Sequence, residues 1–246
     1  MSATSRVADS TGADAPSEAV SPPGRESLAE QYTRIAHAYE GRPIDVVLRG
    51  LDLVIAGLSL AVLSPILALV SLSILLGSGR PILYRGQRVG RAGRVFHMYK
   101  FRTLAPDAET RLGPFLGAEL TRRTEAEVTT IGRGLRATHL DEIPQLWNVL
   151  RGDMSIVGPR PIRPPFFAEL CEVVPQYWQR LVIRPGVTGF AQTRMTREES
   201  WADKLAHDME YIADRSVRLY LRVLVATAWR VLGRLAARDR AAPAGG

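Results

Sequence analysis

A single cysteine, Cys171, stands in the 246 residues. One thiol excludes a disulfide framework within the chain and fits a cytosolic setting. Its neighbours are apolar and acidic, which does not favour a thiolate, so Cys171 reads as packing. Histidine is scarce too. His37, His97, His139 and His207 stand apart, none at metal-ligand spacing from another, and no HExxH motif occurs, which argues against zinc. Aromatic residues make up 7% of the chain and few interleave its cations, so nucleic acid ranks low as a partner. Residues 1–27 are rich in Ser, Ala, Pro and Gly and almost free of large apolar side chains, and the first 40 residues lack the pattern of a signal peptide. They read as an unfolded tail, as does the stretch 236–246.

What the chain does have is positive charge and one long apolar run. Lys and Arg number 32 against 25 Asp and Glu, a net charge of +7, which points to an anionic partner: nucleic acid, a membrane surface or a phosphorylated substrate. "LVIAGLSLAVLSPILALVSLSILL", from Leu53 to Leu76, is 24 residues without a charge, long enough for a membrane helix. Arg42 and Arg49 precede it; Arg80 and Arg85 follow. Cations at both ends fit a simple crossing poorly, because cationic flanks prefer the cytoplasm. Ser64-Pro65 lies mid-run, where proline removes a backbone donor and bends the helix. On the residues alone, a kinked spanning helix and a re-entrant helix that returns to the same face both stay open.

Downstream, "VFHMYKF" predicts a strand amid glycine-punctuated turns. Arg85, Arg88, Arg91, Arg94, Lys100 and Arg102 surround it, placed to meet lipid phosphates. Arg133 and Arg136, three apart, would share a helix face. Pro144 predicts a helix over "PQLWNVLR" that stops at Gly152. Asp141 and Glu142 then stand just ahead of a helix N-terminus, where the dipole favours ionised carboxylates. Arg160 is framed by Pro159 and Pro161, a pre-organised guanidinium suited to a planar or tetrahedral anion. Carboxylates with convergent arginines point to phosphoryl chemistry, the acids attacking or holding Mg²⁺ and the cations absorbing phosphate charge. Near the end, "VRLYLRVLVATAWRVLGRLAARDR" sets arginines 218, 222, 230 and 234 on one half of a helical wheel. That pattern fits a helix in the membrane interface, and equally one packing on the protein's own core.

Four stretches, "RGLDL", "YRGQRVGRAGRVFHMYKFRT", "LDEIPQLWNVLRGDMSIVGPRP" and "RPGVTGFAQ", occur in an order that resembles the bacterial sugar transferases. These are small monotopic phosphoglycosyl transferases acting on polyprenyl phosphate, and the resemblance runs from about Arg49 to about Trp229. The 246 residues leave no room for the multi-span region of the larger members, so the likeness is to the minimal form. It implies transfer of a sugar 1-phosphate from a nucleotide-sugar, usually a UDP-sugar, to a polyprenyl phosphate such as undecaprenyl phosphate, initiating glycoconjugate or exopolysaccharide assembly. By this match Asp141 is the nucleophile and a Mg²⁺ ligand, and Glu142 supports it in proton handling. Arg136 matches a phosphate ligand, Arg160 matches the arginine of the family's Pro-Arg-Pro turn, and Lys100, Arg102 and Arg184 fall in family motifs with a general anion-binding role; Arg133, by its spacing from Arg136, joins Arg160 among the candidate phosphate-binding residues. Ser64-Pro65 matches the break of a re-entrant helix. Three positions depart from the family pattern: "TRMTREES" replaces a Gly-Arg pair, Leu104 follows "KFRT", and Tyr220 stands at an acidic position.

The expected fold is mainly α with a small amount of β (α+β). A re-entrant membrane helix occupies 45–78, and a compact cytoplasmic catalytic domain with interfacial amphipathic helices occupies 79–235. Expected partners are a nucleotide-sugar donor, polyprenyl phosphate and membrane lipids, at the cytoplasmic face of the cell membrane. Two other readings remain beside the transferase: a membrane-bound Mg²⁺-dependent phosphatase or nucleotide-sugar hydrolase, and a non-enzymatic module that binds anionic lipid.

Overall fold

Pro43 opens the first helix of the described residues, a position where its missing N–H has no partner to lose. The computed structural model describes residues 41–108, 111, 117–194 and 200–241. The expected tail over 1–40, most of the "TRMTREES" loop and the last five residues lie outside them. Helix α1 runs Pro43–Ser78 and carries Pro65 inside it. The backbone stays helical through that proline. Pro65 cannot donate to the Ala61 carbonyl, and Ser64 Oγ donates to it instead at 2.8 Å. The Ser64-Pro65 pair therefore does not end the helix; the hydroxyl takes up the acceptor the proline leaves.

Only the two ends of α1 are packed. Leu48 and Ala56 join a core with Val149, Ile156, Tyr220 and Val223. Ile74 joins a separate cluster with Phe101 and Leu135. Between them the apolar side chains face outward: Leu58 is 63% exposed, Val62 73% and Leu69 65%. It is the one helix among the described residues long and apolar enough to cross a membrane. A face this large and apolar calls for a lipid or protein cover.

After α1 the chain forms an antiparallel hairpin of β1 (Leu83–Val89) and β2 (Val95–Phe101), in register from Leu83 opposite Phe101 to Val89 opposite Val95. Helix α2 (Gly117–Ala126) and helix α3 (Thr130–Thr138) follow. A 3₁₀ turn over Leu140–Glu142 leads into α4 (Gln145–Arg151), which Pro144 starts and Gly152 ends at φ 91°. Both helix limits agree with the sequence reading. A short parallel pair, β3 (Ser155–Val157) with β4 (Gly186–Thr188), ties the chain after α4 to the "RPGVTG" stretch. Gly186 is required there, because a Cβ on it would lie 2.1 Å from the Gly158 nitrogen.

Helix α5 (Pro164–Val173) and a 3₁₀ segment (Pro175–Val182) lie between those strands, with half-buried Cys171 packed beside Phe167 and Leu170. After β4 come α6 (Phe190–Arg194), α7 (Trp201–Asp214) and α8 (Val217–Ala241), the last running past the expected boundary at 236. Ser200 caps α7 in a reciprocal box with Asp203. Helix α8 both packs and exposes apolar surface. Tyr220 and Val223 are buried, while Leu221, Val225, Trp229 and Leu232 form an outward stripe. The expected arginine face is divided: Arg218 and Arg222 are exposed, but Arg230 turns inward and donates to the Gln192 and Thr193 carbonyls. Tyr220 explains its own departure from the acidic pattern. Its hydroxyl donates to Asp52 Oδ1 at 2.9 Å, the atom that also accepts from Ser155 Oγ and Ile156 N.

Candidate active site

The end of β2 distributes three polar side chains to three elements. Lys100 Nζ reaches Glu142 Oε1 at 2.6 Å. Arg102 donates to the carbonyls of Pro81, Ser78 and Gly79 at 2.6, 2.7 and 2.8 Å, and to Leu104 O at 3.2 Å. Thr103 holds α3: its carbonyl accepts from Thr129 N at 3.0 Å, and its hydroxyl accepts from Arg136 Nε at 2.9 Å. This approach needs Gly132, where a Cβ would lie 2.1 Å from the Thr103 oxygen.

Helix α3 ends at His139, whose left-handed backbone (φ 58°) is an uncommon conformation for a residue with a side chain. The reversal turns the chain into the 3₁₀ turn that presents Asp141 and Glu142. One turn into α4, fully buried Asn148 clamps that helix to β2. It donates to His97 O at 2.7 Å and accepts from Tyr99 N at 3.0 Å. Asn148 is the residue that sequence reading missed. A polar side chain amid the apolar positions of a short helix was its only signal. Asp153, which stands near the dyad in sequence, accepts from Asn148 at 3.1 Å and so serves this clamp.

A cavity of about 1270 Å³ opens over the dyad, walled by Asp141, Glu142, Lys100, Thr103 and Arg136, and running along Arg80–Arg85 from the end of α1. Asp141 is 8% exposed and accepts no hydrogen bond among the described residues. Burial raises its pKa and the Glu142 charge raises it further, against Lys100, Arg136 and His139. The expected helix-dipole effect is thus outweighed, because the short α4 lies behind the 3₁₀ turn and burial dominates. Glu142 behaves in the opposite way. Burial pushes it up, but Lys100 and Arg160 outweigh that and hold it below the usual carboxylate range.

The remaining expected site residues divide. Arg160 lines a smaller cavity with Lys100, Glu142 and Gln145, so the proline-framed turn does return to the dyad, on the Glu142 side. Arg102 touches the large cavity, yet its guanidinium is consumed by backbone carbonyls at the end of α1; it fastens that helix rather than offering its fork to an anion. Arg184 donates to Gly152 O at 2.9 Å and lines a different cavity, about 80 Å³, with Arg49, Asp45 and Asp52. It pins the loop after α4 and stands away from the dyad. Arg133 is exposed and lines neither cavity beside the dyad. Three residues advance a helix to within about 60° of the starting direction, enough to carry Arg133 from the rim where Arg136 sits to the outer face.

No cluster of three or more His, Cys, Asp or Glu side chains that could hold a metal occurs among the described residues. Asp141 alone, facing an anion-sized cavity with its oxygens free of described donors, still fits Mg²⁺, which commonly takes one or two carboxylates and completes its shell with substrate phosphates and water.

An arginine-walled carboxylate site lies at the end of an outward-facing helix that is long and apolar enough to cross a membrane. The chain belongs to the bacterial sugar transferase family, whose model matches residues 44–234. It is 35% identical over 170 residues to "UDP-glucose:undecaprenyl-phosphate glucose-1-phosphate transferase" of Xanthomonas campestris pv. campestris, covering 66% of this chain and 34% of that one. It is 34% identical over 168 residues to "UDP-N-acetylgalactosamine-undecaprenyl-phosphate N-acetylgalactosaminephosphotransferase" of Aeromonas hydrophila, covering 67% and 38%. With "Exopolysaccharide production protein PSS" of Rhizobium leguminosarum bv. phaseoli it shares 36% over 165 residues, 64% of this chain and 80% of that one. The matched region thus spans about a third of the first two relatives.

Proposed function

We propose that the protein transfers a sugar 1-phosphate from a UDP-sugar to polyprenyl phosphate, giving polyprenyl-diphosphate-sugar and UMP, as the first step of glycoconjugate or exopolysaccharide assembly. The names of the relatives support the substrates. The observation that carries the mechanism is the asymmetry of the dyad: Glu142 is neutralised by Lys100, while Asp141 faces the cavity without a described partner. In the first step an Asp141 oxygen attacks the phosphorus that bears the sugar. The bond to the bridging oxygen breaks and UMP leaves with the electron pair. In the second, an oxygen of the lipid phosphate attacks the same phosphorus and Asp141 departs as carboxylate. Glu142, kept ionised by Lys100 and Arg160, takes the proton of the incoming lipid phosphate. Arg136, oriented by Thr103, faces the charge that develops on the phosphoryl oxygens. Bound Mg²⁺, held by Asp141 and the diphosphate, would supply further neutralisation of that charge.

The cytoplasmic, re-entrant arrangement belongs to this proposal. Both ends of α1 are fastened to the same body: Arg215 Nε meets Asp45 Oδ1 at 2.6 Å at one end, and Arg102 grips the Ser78 and Gly79 carbonyls at the other. A bend of the continuous helix at Pro65 then lets the exposed apolar middle dip into one leaflet and return, keeping both basic flanks on one side. Cysteines placed on the two flanks label from the same side of a vesicle in this arrangement; labelling from opposite sides sinks it.

The activity test uses the full chain in nanodiscs with a panel of UDP-sugars, with and without polyprenyl phosphate. UMP release that requires the lipid is expected, with an intact-mass adduct at Asp141 when lipid is withheld. Sustained hydrolysis without lipid would favour the phosphatase or hydrolase reading.

A further inference from the structure

On the far side of the Lys100–Glu142 pair lies the second cavity, about 280 Å³, close to the lower size of ligand pockets. It shares Arg88, Arg163, Lys100 and Glu142 with the large cavity, so the two meet at that ion pair. Its other walls are of a different kind. Phe166 on α5 and Trp201 on α7 stand edge to face, with ring centroids 5.2 Å apart. The Gln145 side chain reaches the same space; it is 3% exposed, and its amide has no hydrogen-bond partner among the described residues. An amide on the wall of this cavity can both donate to and accept from a polar ligand.

Three guanidinia converge here: Arg88, Arg160 and Arg163. None makes a salt bridge to a described carboxylate. Burial lowers the pKa of Arg88 and the charges of Arg163 and Arg160 add to that, while Tyr84, which also hydrogen-bonds Arg88, opposes them. The convergence is built into the backbone. Val89 N donates to Ile162 O at 2.9 Å, a bridge that sets Arg163 beside Arg88 on β1. Clustered cations, Arg88 half-buried with Arg160 and Arg163 exposed beside it, are stabilised by an anion with several oxygens.

The cavities also differ in what they adjoin. The large one begins at Arg80, where α1 ends, and so adjoins the helix that the proposed function places in the membrane. The small one is closed by α5 and α7, which pack on the 3₁₀ segment Pro175–Val182 and, for α5, on β1. Arginines, an amide and an aromatic wall, set back from the membrane helix, match a nucleoside phosphate. We infer that this cavity holds the nucleoside-monophosphate half of the donor, with Arg163 and Arg88 on the departing phosphate, Gln145 on a polar edge of the nucleoside, and Phe166 and Trp201 walling it. The inference rests on the transferase reading and names the part of that site which binds the leaving nucleotide.

Uridine 5′-monophosphate is the probe, titrated calorimetrically into the full chain in nanodiscs, alongside steady-state kinetics. Arg163 is exposed, so Arg163→Ala should fold, as its melting curve will show. The expected result is a roughly tenfold weaker affinity for the probe, about 1.4 kcal/mol, and a matching rise in KM for the UDP-sugar. KM for polyprenyl phosphate stays within about twofold, and Arg163→Lys recovers part of the loss. Unchanged probe affinity in Arg163→Ala, with intact wild-type transfer, overturns the subsite and leaves the transferase standing. A rise in acceptor KM alone overturns it as well, by moving Arg163 to the lipid phosphate. Arg163-dependent binding of the probe by a wild-type protein that transfers nothing keeps the subsite and removes the transferase.

Discussion

Asp208 and Asp141 are both withdrawn from water, 3% and 8% exposed, and burial raises the pKa of each. Their surroundings then part. Asp208 on α7 meets Arg180 at 2.7 Å, and Arg180 in turn donates to the Tyr177 hydroxyl and lies over its ring. That arrangement runs from acid to cation to phenol, leaving only the Arg180 Nε–H without a described partner, and opposes the effect of burial. Asp141 has a second acid next to it, and the nearest lysine is committed to that neighbour. A charge that serves the fold is neutralised within it; a charge that serves chemistry is left for a ligand to neutralise.

The sharpest way to break this comparison is to remove each carboxylate. Asp141→Asn should abolish transfer by at least about 10³-fold, as loss of a nucleophile does. It should also raise the melting temperature at neutral pH. The sign follows from the raised pKa: the folded state prefers the protonated acid, so stability is full below the unfolded value and declines as pH rises through the folded one. The amide has no such loss. UMP release and thermal melting on one preparation check both halves, and a large drop in melting temperature would place Asp141 among the structural acids.

Asp208→Asn should do the reverse. It leaves Arg180 buried without its counter-charge, at a cost of about 3–5 kcal/mol in chemical denaturation. Replacing Arg180 and Asp208 together by apolar residues should recover most of that, since an apolar pair buries no charge. An Asp208→Asn protein of wild-type stability would show that the pair is not neutralised within the fold.

Lys100 separates the two members of the dyad. It lowers the pKa of both carboxyls. Activity that needs them ionised rises with pH through those values, so Lys100→Met should move the acid limb of kcat/KM to higher pH. Turnover should fall by about 10²-fold. Lys100→Arg, which keeps the charge, should leave the limb near its wild-type position. A limb that stays put in Lys100→Met would mean that Lys100 serves only as an anion ligand.

Much of this was legible because the signals are local. The charge-free run, the strand "VFHMYKF", the helix between Pro144 and Gly152 and the Asp141-Glu142 pair each lie in one short stretch. What a side chain meets across the fold was not. Arg102 and Arg184 sit in motifs as conspicuous as that of Lys100, but carbonyls far away in sequence engage them. The three-residue strands β3 and β4 pair across an interval that no periodicity marks. Arg163 drew no notice beside Arg160, because only the bridge between Val89 and Ile162 brings it to Arg88.

Arg136 and Arg133 carry the smallest effect and the plainest version of the same lesson. Sequence spacing put them on one helix face; the structure ties Arg136 to Thr103 at the cavity and leaves Arg133 in solvent. Removing a charged donor that stabilises developing phosphoryl charge should lower kcat/KM by about tenfold in Arg136→Ala. Thr103→Val, which deletes the hydroxyl that orients Arg136, should lower it in the same direction by less. Arg133→Ala should stay within about twofold, because an exposed cation outside both cavities contributes only a screened, long-range field. That small loss should vanish at high salt, whereas the Arg136→Ala defect should persist. Equal and salt-sensitive losses in both variants would mean that Arg136 acts through the general basic field rather than at the phosphate.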